Sequence, residues 1–423
     1  MLRHTLSDVL SKLFNRVVLV AAALTSPLLM AGELNITAVF RPDSSNPSNN
    51  KFINTTPPNG HSYCTNYAHL CPEGMFSINL PLTLVTSAPI QANHSDPRMG
   101  LMVKVPAQEM NLTVVSDRTG AMRELRFKII AFGSIKMFAP DVGKITGISD
   151  FWAAHAALWE GGTWSGNPPA PCQYVGPGGT GWSMINFFMK TPSSSICAKK
   201  ALFEIPKITM TDLDIAYELV TPDPLSMESG TYTSVTPIIY SIGPGKDFDF
   251  GDVMIASDSL IAINFILSVE HALKVQFPPG ADRLSLIPDG GWQQWLHRGR
   301  RPEKLFANQP FQIWSSGRFN MQLQCQYTVG EHCGIQNQSG HMVPVETRVT
   351  LPAGITALSG MAVNRQLLSN TNATTFFPSH YVDNGRASLH FEVGRDSVKE
   401  MTEHAGSRYS GNVTIIWDSQ VDG

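Results

Sequence analysis

The segment Ser410-Gly411-Asn412-Val413-Thr414-Ile415-Ile416-Trp417-Asp418-Ser419 constrains the fold of this chain more than any other stretch. Val413, Ile415 and Trp417 fall on one face and Asn412, Thr414 and Asp418 on the other, with Ile416 the one exception. This period-2 alternation is that of a half-buried β-strand. The strand ends so near the C-terminus that no later strand of the same chain is expected to cover its free edge. An apolar strand with an open edge is a pairing hazard unless something completes the sheet. The pattern therefore predicts a β-domain that is closed from outside.

The other end of the chain reads as an export signal. Arg3, Lys12 and Arg16 precede an apolar run over residues 17–24, and Thr25-Ser26-Pro27-Leu28-Leu29-Met30-Ala31 follows, with Leu29 larger than the usual small residue before a cleavage site. That order, a basic region, an apolar core and a cleavage site, marks a signal peptide over residues 1–31. The run falls short of the roughly 20 apolar residues of a spanning helix. Six cysteines follow in the exported part as near neighbours: Cys64 with Cys71, Cys172 with Cys197, Cys325 with Cys333. Other connectivities are open from sequence alone, but the sequential set is the most economical in an oxidising compartment. No Cys-x-x-Cys or paired-His spacing argues for zinc.

Charged residues make up 15% of the 423, with a formal net charge of −3, which excludes a strongly basic nucleic-acid binder. Few charged helical stretches and abundant Gly, Pro, Ser and Thr favour an all-β chain. Its length exceeds one small sandwich, so two domains are expected, over residues 32–270 and 271–423. Short β-like runs recur at residues 34–40, 76–85, 101–105, 110–115, 125–132, 202–209 and 214–219, and then at 231–233, 237–242 and 259–269. After the boundary they return at 284–287, 311–315, 319–327, 343–351, 386–393 and 411–418. Such spacing points to sandwiches or barrels. The one helix expected covers residues 150–158, with Ser149 or Asp150 as its N-cap.

Tyr409-x-Gly411 followed by the alternating strand and Trp417-Asp418-Ser419 resembles the C-terminal strand of chaperone–usher pilus subunits. The two-domain layout, an opening strand around Asn35 and an early cysteine pair narrow the resemblance to fimbrial tip adhesins. The resemblance implies a receptor-binding domain at 32–270 and an incomplete immunoglobulin-like pilin domain at 271–423, both β-sandwiches. A donor strand would fill the groove beside Val413, Ile415 and Trp417. It also implies the partners: a periplasmic chaperone, an outer-membrane usher, an adjacent pilin subunit and a host or surface receptor, with carbohydrate the leading class. The chain would pass through the periplasm to the cell surface, with no cofactor, no metal and no enzymatic activity. Cys325 and Cys333 depart from the family, being close enough to staple a hairpin rather than tie distant strands.

Residues 150–182 carry the candidate receptor site: Trp152, His155, Trp159, Trp164, Tyr174 and Trp182 among Gly, Pro and Ser. Aromatic faces suit sugar rings, while polar side chains take the hydroxyls. Core packing is the competing reading for each Trp. The run Gly176-Pro177-Gly178-Gly179-Thr180-Gly181 matches G-x-G-x-x-G but opens no helix, so it is read as a loop and not a dinucleotide site. Neither G-x-S-x-G nor H-E-x-x-H occurs. The alternatives to an adhesin are an exported glycan-acting hydrolase, with Asp150 and Glu160 as its carboxylate pair, and a structural pilus subunit. Arg298, Arg300 and Arg301 beside Trp292 and Trp295 form a further cluster, read either as a loop that packs on the first domain or a chaperone or as a solvated basic turn.

Overall fold

The computed structural model describes residues 32–60, 62–176 and 178–419. The signal peptide expected over residues 1–31 and residues 420–423 lie outside them. Among the described residues no strand pairing crosses residues 270–272: each ladder joins strands within 33–269 or within 273–418.

The N-terminal half is built on a 14-stranded sheet. Its main strands are β1 (Glu33–Phe40), β2 (Phe76–Leu80), β3 (Met110–Ser116), β4 (Met122–Phe138), β5 (Met184–Lys190), β6 (Ile208–Val220), β7 (Gly230–Ser234), β8 (Ile238–Ser241) and β9 (Leu260–Val269). The long β4 organises the sheet. Its first part pairs with β3 and its second with β5, while β6 runs along its other side with a bulge between Thr211 and Asp214. β9 carries β7 and β8 on one side and β1, in parallel, on the other. Alternation explains the burial: in β1, Leu34, Ile36, Ala38 and Phe40 point into the core. There they meet residues such as Phe127, Tyr217 and Phe265.

Two short helices and a disulfide loop decorate this sheet. α1 (Tyr63–Asn66) lies in the loop closed by Cys64–Cys71. α2 (Val142–Thr146) is capped by Asp141. α3 (Phe151–Ala157) is capped by Asp150, whose carboxylate accepts from Ala153 N at 2.8 Å. The glycine-rich run opens no helix and folds back on β5, with Asn186 N donating to Gly179 O.

The C-terminal half is a sandwich. One sheet of seven strands contains β10 (Leu273–Gln276), β11 (Leu305–Ser315), β13 (Tyr327–Val329), β14 (His332–Gln336), β15 (Met342–Thr350) and β18 (Val382–Val393). The other has four strands, in the order β16 (Ile355–Ala357), β17 (Thr374–Pro378), β12 (Phe319–Cys325) and β19 (Val413–Asp418). The inner faces bury Phe311, Ile313, Phe319, Met321, Leu389 and their neighbours.

Three local expectations are corrected. Residues 202–207 form no strand, because Pro206 has no N–H to donate and the ladder begins only at Ile208. Residues 284–287 form no strand either; Ile287 makes a single bridge to Phe306. Cys325–Cys333 does not staple a hairpin. The chain crosses from β12 in the small sheet to β13 and β14 in the large one, and the bridge ties that crossing. The basic cluster forms α4 (Gln293–Arg298), which buries none of its residues; Arg301 lies 5.9 Å from the Trp295 ring centroid.

Candidate functional site

The C-terminal sandwich is open along one side. β19 pairs with β12 from Asn320↔Asp418 to Cys325↔Val413, and among the described residues no strand pairs with its other edge. The unpaired edge is six residues, or about 20 Å, long. Beyond it lies a groove of about 700 Å³. Gln309, Val345, Leu389 and Phe391 floor it, and the far rim comes from the segment holding Phe277, Leu284 and Leu286.

Val413, Ile415 and Trp417 line this groove half-buried, while Thr414, Ile416 and Asp418 face solvent. The Trp417 ring stands edge-on to Phe311 at 5.4 Å and tilts against Phe319 at 5.9 Å, so it is anchored on one side and wet on the other. Gly411 sets the strand's entry. A Cβ there would come within 2.6 Å of Gly334 O, so the chain approaches β14 only because the residue has none. Fully burying a large apolar side chain is worth roughly 1.5–3 kcal/mol, and all three residues have part of that gain still to make. What fits such a site is an extended segment with alternating apolar residues.

The aromatic cluster of residues 150–182 divides into two groups. Trp159 and Trp164 are 2% and 1% exposed and belong to the core. His155 is buried, with Nε2 2.9 Å from Gly181 O, and burial lowers its pKa. These three present no surface to a receptor. The two tryptophans pack on Lys136, whose Nζ sits 3.3 Å from the Trp164 ring centroid, 4.0 Å from that of Phe187 and 5.9 Å from that of Trp159. Burial holds the Lys136 pKa well below the ordinary lysine value, and the charge of Lys199 pushes the same way. The Lys199 amine donates to the carbonyls of Gly161, Gly162 and Thr163, and its pKa is lowered by burial to about 8.

Trp152 and Trp182 are exposed, at 53% and 43%, and both rings contact Phe151. Tyr174 is exposed too but pairs with Met189, whereas Gly181, beside Trp182, pairs with Met184 at the opposite end of β5. Five residues of strand, about 16 Å, separate the two. Asp150 is occupied as a helix cap, and Glu160 pairs with Lys200 at 3.5 Å.

The floor and far rim of the groove were not among the expected site residues. The alternation within β11 and β18 was legible, but which apolar face would lie beside an unfilled space depends on the packing of the two sheets. Among the described residues, no group of three or more His, Cys, Asp or Glu side chains could hold a metal ion.

No protein-family model and no curated protein matches this chain. Among solved structures, the chain is similar to CfaE, the adhesive subunit of CFA/I fimbria of enterotoxigenic Escherichia coli, at 10% identity over 91% of this chain and 92% of that one, with a TM-score of 0.25. It is also similar to a chain of the CsuC–CsuE chaperone–tip adhesion subunit complex from the archaic chaperone–usher Csu pili of Acinetobacter baumannii. Identity there is 9% over 92% and 99% of the two chains, with a TM-score of 0.21. The CupB6 tip adhesin of Pseudomonas aeruginosa is similar at 11% identity over 76% and 96%, with a TM-score of 0.27. These solved neighbours are tip adhesins.

Proposed function

We propose that this chain is the tip adhesin of a chaperone–usher fimbria, with residues 32–270 binding a receptor and residues 271–423 joining it to the fibre. The observation that carries the reading is the open groove beside β19, where Val413, Ile415 and Trp417 stand half-buried along an unpaired strand edge. A periplasmic chaperone strand fills it first, and the N-terminal strand of the adjacent subunit, delivered at the outer-membrane usher, replaces it. Attachment belongs to the N-terminal half. The exposed rings of Trp152 and Trp182, both in contact with Phe151, suit the C–H face of a sugar.

The test is complementation. Residues 271–423 alone are expected to be insoluble. The same segment carrying a flexible linker and a strand of alternating apolar residues at its C-terminus is expected to be soluble and to melt cooperatively. A bare segment that is soluble, monomeric and cooperatively folded would overturn the proposal.

A further inference from the structure

The loop closed by Cys64–Cys71 lies on the outer face of β4, β5 and β6, and beside it is a second, smaller cavity. Three registered residues lie beneath: Asp214 on β6 opposite Gly133 on β4, and Gly133 opposite Phe188 on β5. Tyr63 docks the loop there. Its ring stacks on Phe188 at 3.9 Å with a 2° tilt, and its N–H donates to Asp214 Oδ2. Gly133 makes this seat possible, since a Cβ would lie 2.4 Å from the Phe188 ring.

The cavity that remains, about 200 Å³, is lined by Asp214, Asp212, Asn186, Asn66 and the rings of Tyr63 and Tyr67 among others. It is smaller than the roughly 300–1,000 Å³ of pockets for drug-sized ligands. It therefore admits one ring or the end of one side chain. Two carboxylates line it and no lysine or arginine does. Asp214 is 3% exposed, and its Oδ1 has no hydrogen-bond partner. A buried acceptor left unpaired is costly. Burial raises the Asp214 pKa to about 7, against the opposing effect of the Tyr63 N–H.

We propose that this cavity binds a primary ammonium group, carried by an amino sugar or by a lysine side chain of the receptor. An ammonium offers three donors for Asp214, Asp212 and Asn186 and is attracted by the aromatic faces beside them. It also restores the charge balance that burial of Asp214 disfavours. The proposal rests on the receptor-binding reading of the N-terminal half and narrows it to a cationic group. Its failure is separable from that of the fibre-joining reading, because complementation of residues 271–423 does not involve this cavity.

The experiment is calorimetric titration of the full chain at pH 7 with glucosamine, N-acetylglucosamine and Nα-acetyl-lysine methylamide. Saturable binding of glucosamine without N-acetylglucosamine assigns an amino sugar, and binding of the lysine derivative alone assigns a peptide side chain. Asp214→Asn is expected to weaken binding by about tenfold or more, as befits loss of a charge-assisted hydrogen bond. Because Asp214 also anchors Tyr63, Asp212→Asn provides the second test. Asn tolerates the left-handed backbone at that position, where φ is 47°, so the fold is kept while one carboxylate is lost. Equal binding of the acetylated and free sugars, unchanged binding in both variants, or no binding of any of the three probes would overturn the proposal.

Discussion

Lys136 is the largest electrostatic liability at the scale of single residues. Its amine has no hydrogen-bond partner among the described residues and is wholly enclosed by aromatic rings. Its folded-state pKa lies well below the unfolded value of 10.5, so unfolding takes up a proton between those two values. Stability therefore rises with pH through that window. Lys136→Met, which fills the same space without the amine, is expected to stabilise the chain at pH 7, by roughly 1–3 kcal/mol. The gain should shrink as melts are repeated toward pH 10; a gain that grew with pH would show that the lysine is charged and paired. The neighbouring tryptophans give the reverse outcome. Trp164→Ala removes a core side chain and should cost about 3–5 kcal/mol. Trp152→Ala, at an exposed position, should leave the melting temperature close to wild type and is expected to lower receptor binding on a glycan array. Severe destabilisation by Trp152→Ala would remove it from any recognition surface.

The decisive element is β19. Its inward residues complete a core that includes Phe311 and Phe319, yet among the described residues no strand pairs with its outer edge. Replacing Ile415 with Asp would place a charge in the groove. This is expected to abolish complementation by an appended donor strand while Ile416→Asp, on the solvent face, leaves it intact. Equal effects of the two, read as soluble yield and melting temperature, would mean that the strand's alternation does not set the site. The Cys325–Cys333 bridge holds the crossing between the two sheets, beside the β12 end of that ladder. Cys333→Ser with Cys325→Ser should cost about 2–5 kcal/mol, read as a lower melting temperature of the complemented C-terminal half.

For the whole molecule, the question is how the halves are joined. Residues 270–272 connect them, and side chains reinforce the link. Arg318 pairs with Glu228 across the junction, while Arg41 holds Glu270, at the end of the N-terminal half, in a bidentate pair at 2.7 and 2.9 Å. His271 is half-buried between Met227 O, at 2.8 Å from its Nε2, and the Ser316 hydroxyl, 3.1 Å from Nδ1. Burial lowers its pKa, opposed by the Met227 carbonyl. Among the described residues the two halves nevertheless have separate buried clusters and no shared ladder. Residues 32–270 are accordingly expected to fold alone and melt in one cooperative transition by calorimetry. Aggregation of that fragment under conditions where the full chain is soluble would show that the junction is part of its core.

Much of this was legible from residues close in sequence. Local alternation fixed β1, β9 and β19, because burial on one face demands period 2 whatever the partner strand is. Asp150 announced α3, since a carboxylate before an Ala-rich segment satisfies the free N–H groups of the first turn. The three cysteine pairs were readable from proximity in the chain. Other features depend on residues far apart. Trp152 and Trp159 sit in the same short segment, yet one is exposed and the other enclosed, because only the tertiary packing decides which ring meets Lys136 and Trp164. Asp214 faces an unfilled cavity because the Cys64–Cys71 loop docks on a sheet whose three strands come from residues 133, 188 and 214. The sequence by itself determined most of the strands and their buried faces, set by neighbours within one element, and made the sequential cysteine pairing the most economical. Only the tertiary structure decided which apolar surfaces are used up by packing and which are left open, since that is a property of two surfaces meeting and not of either one.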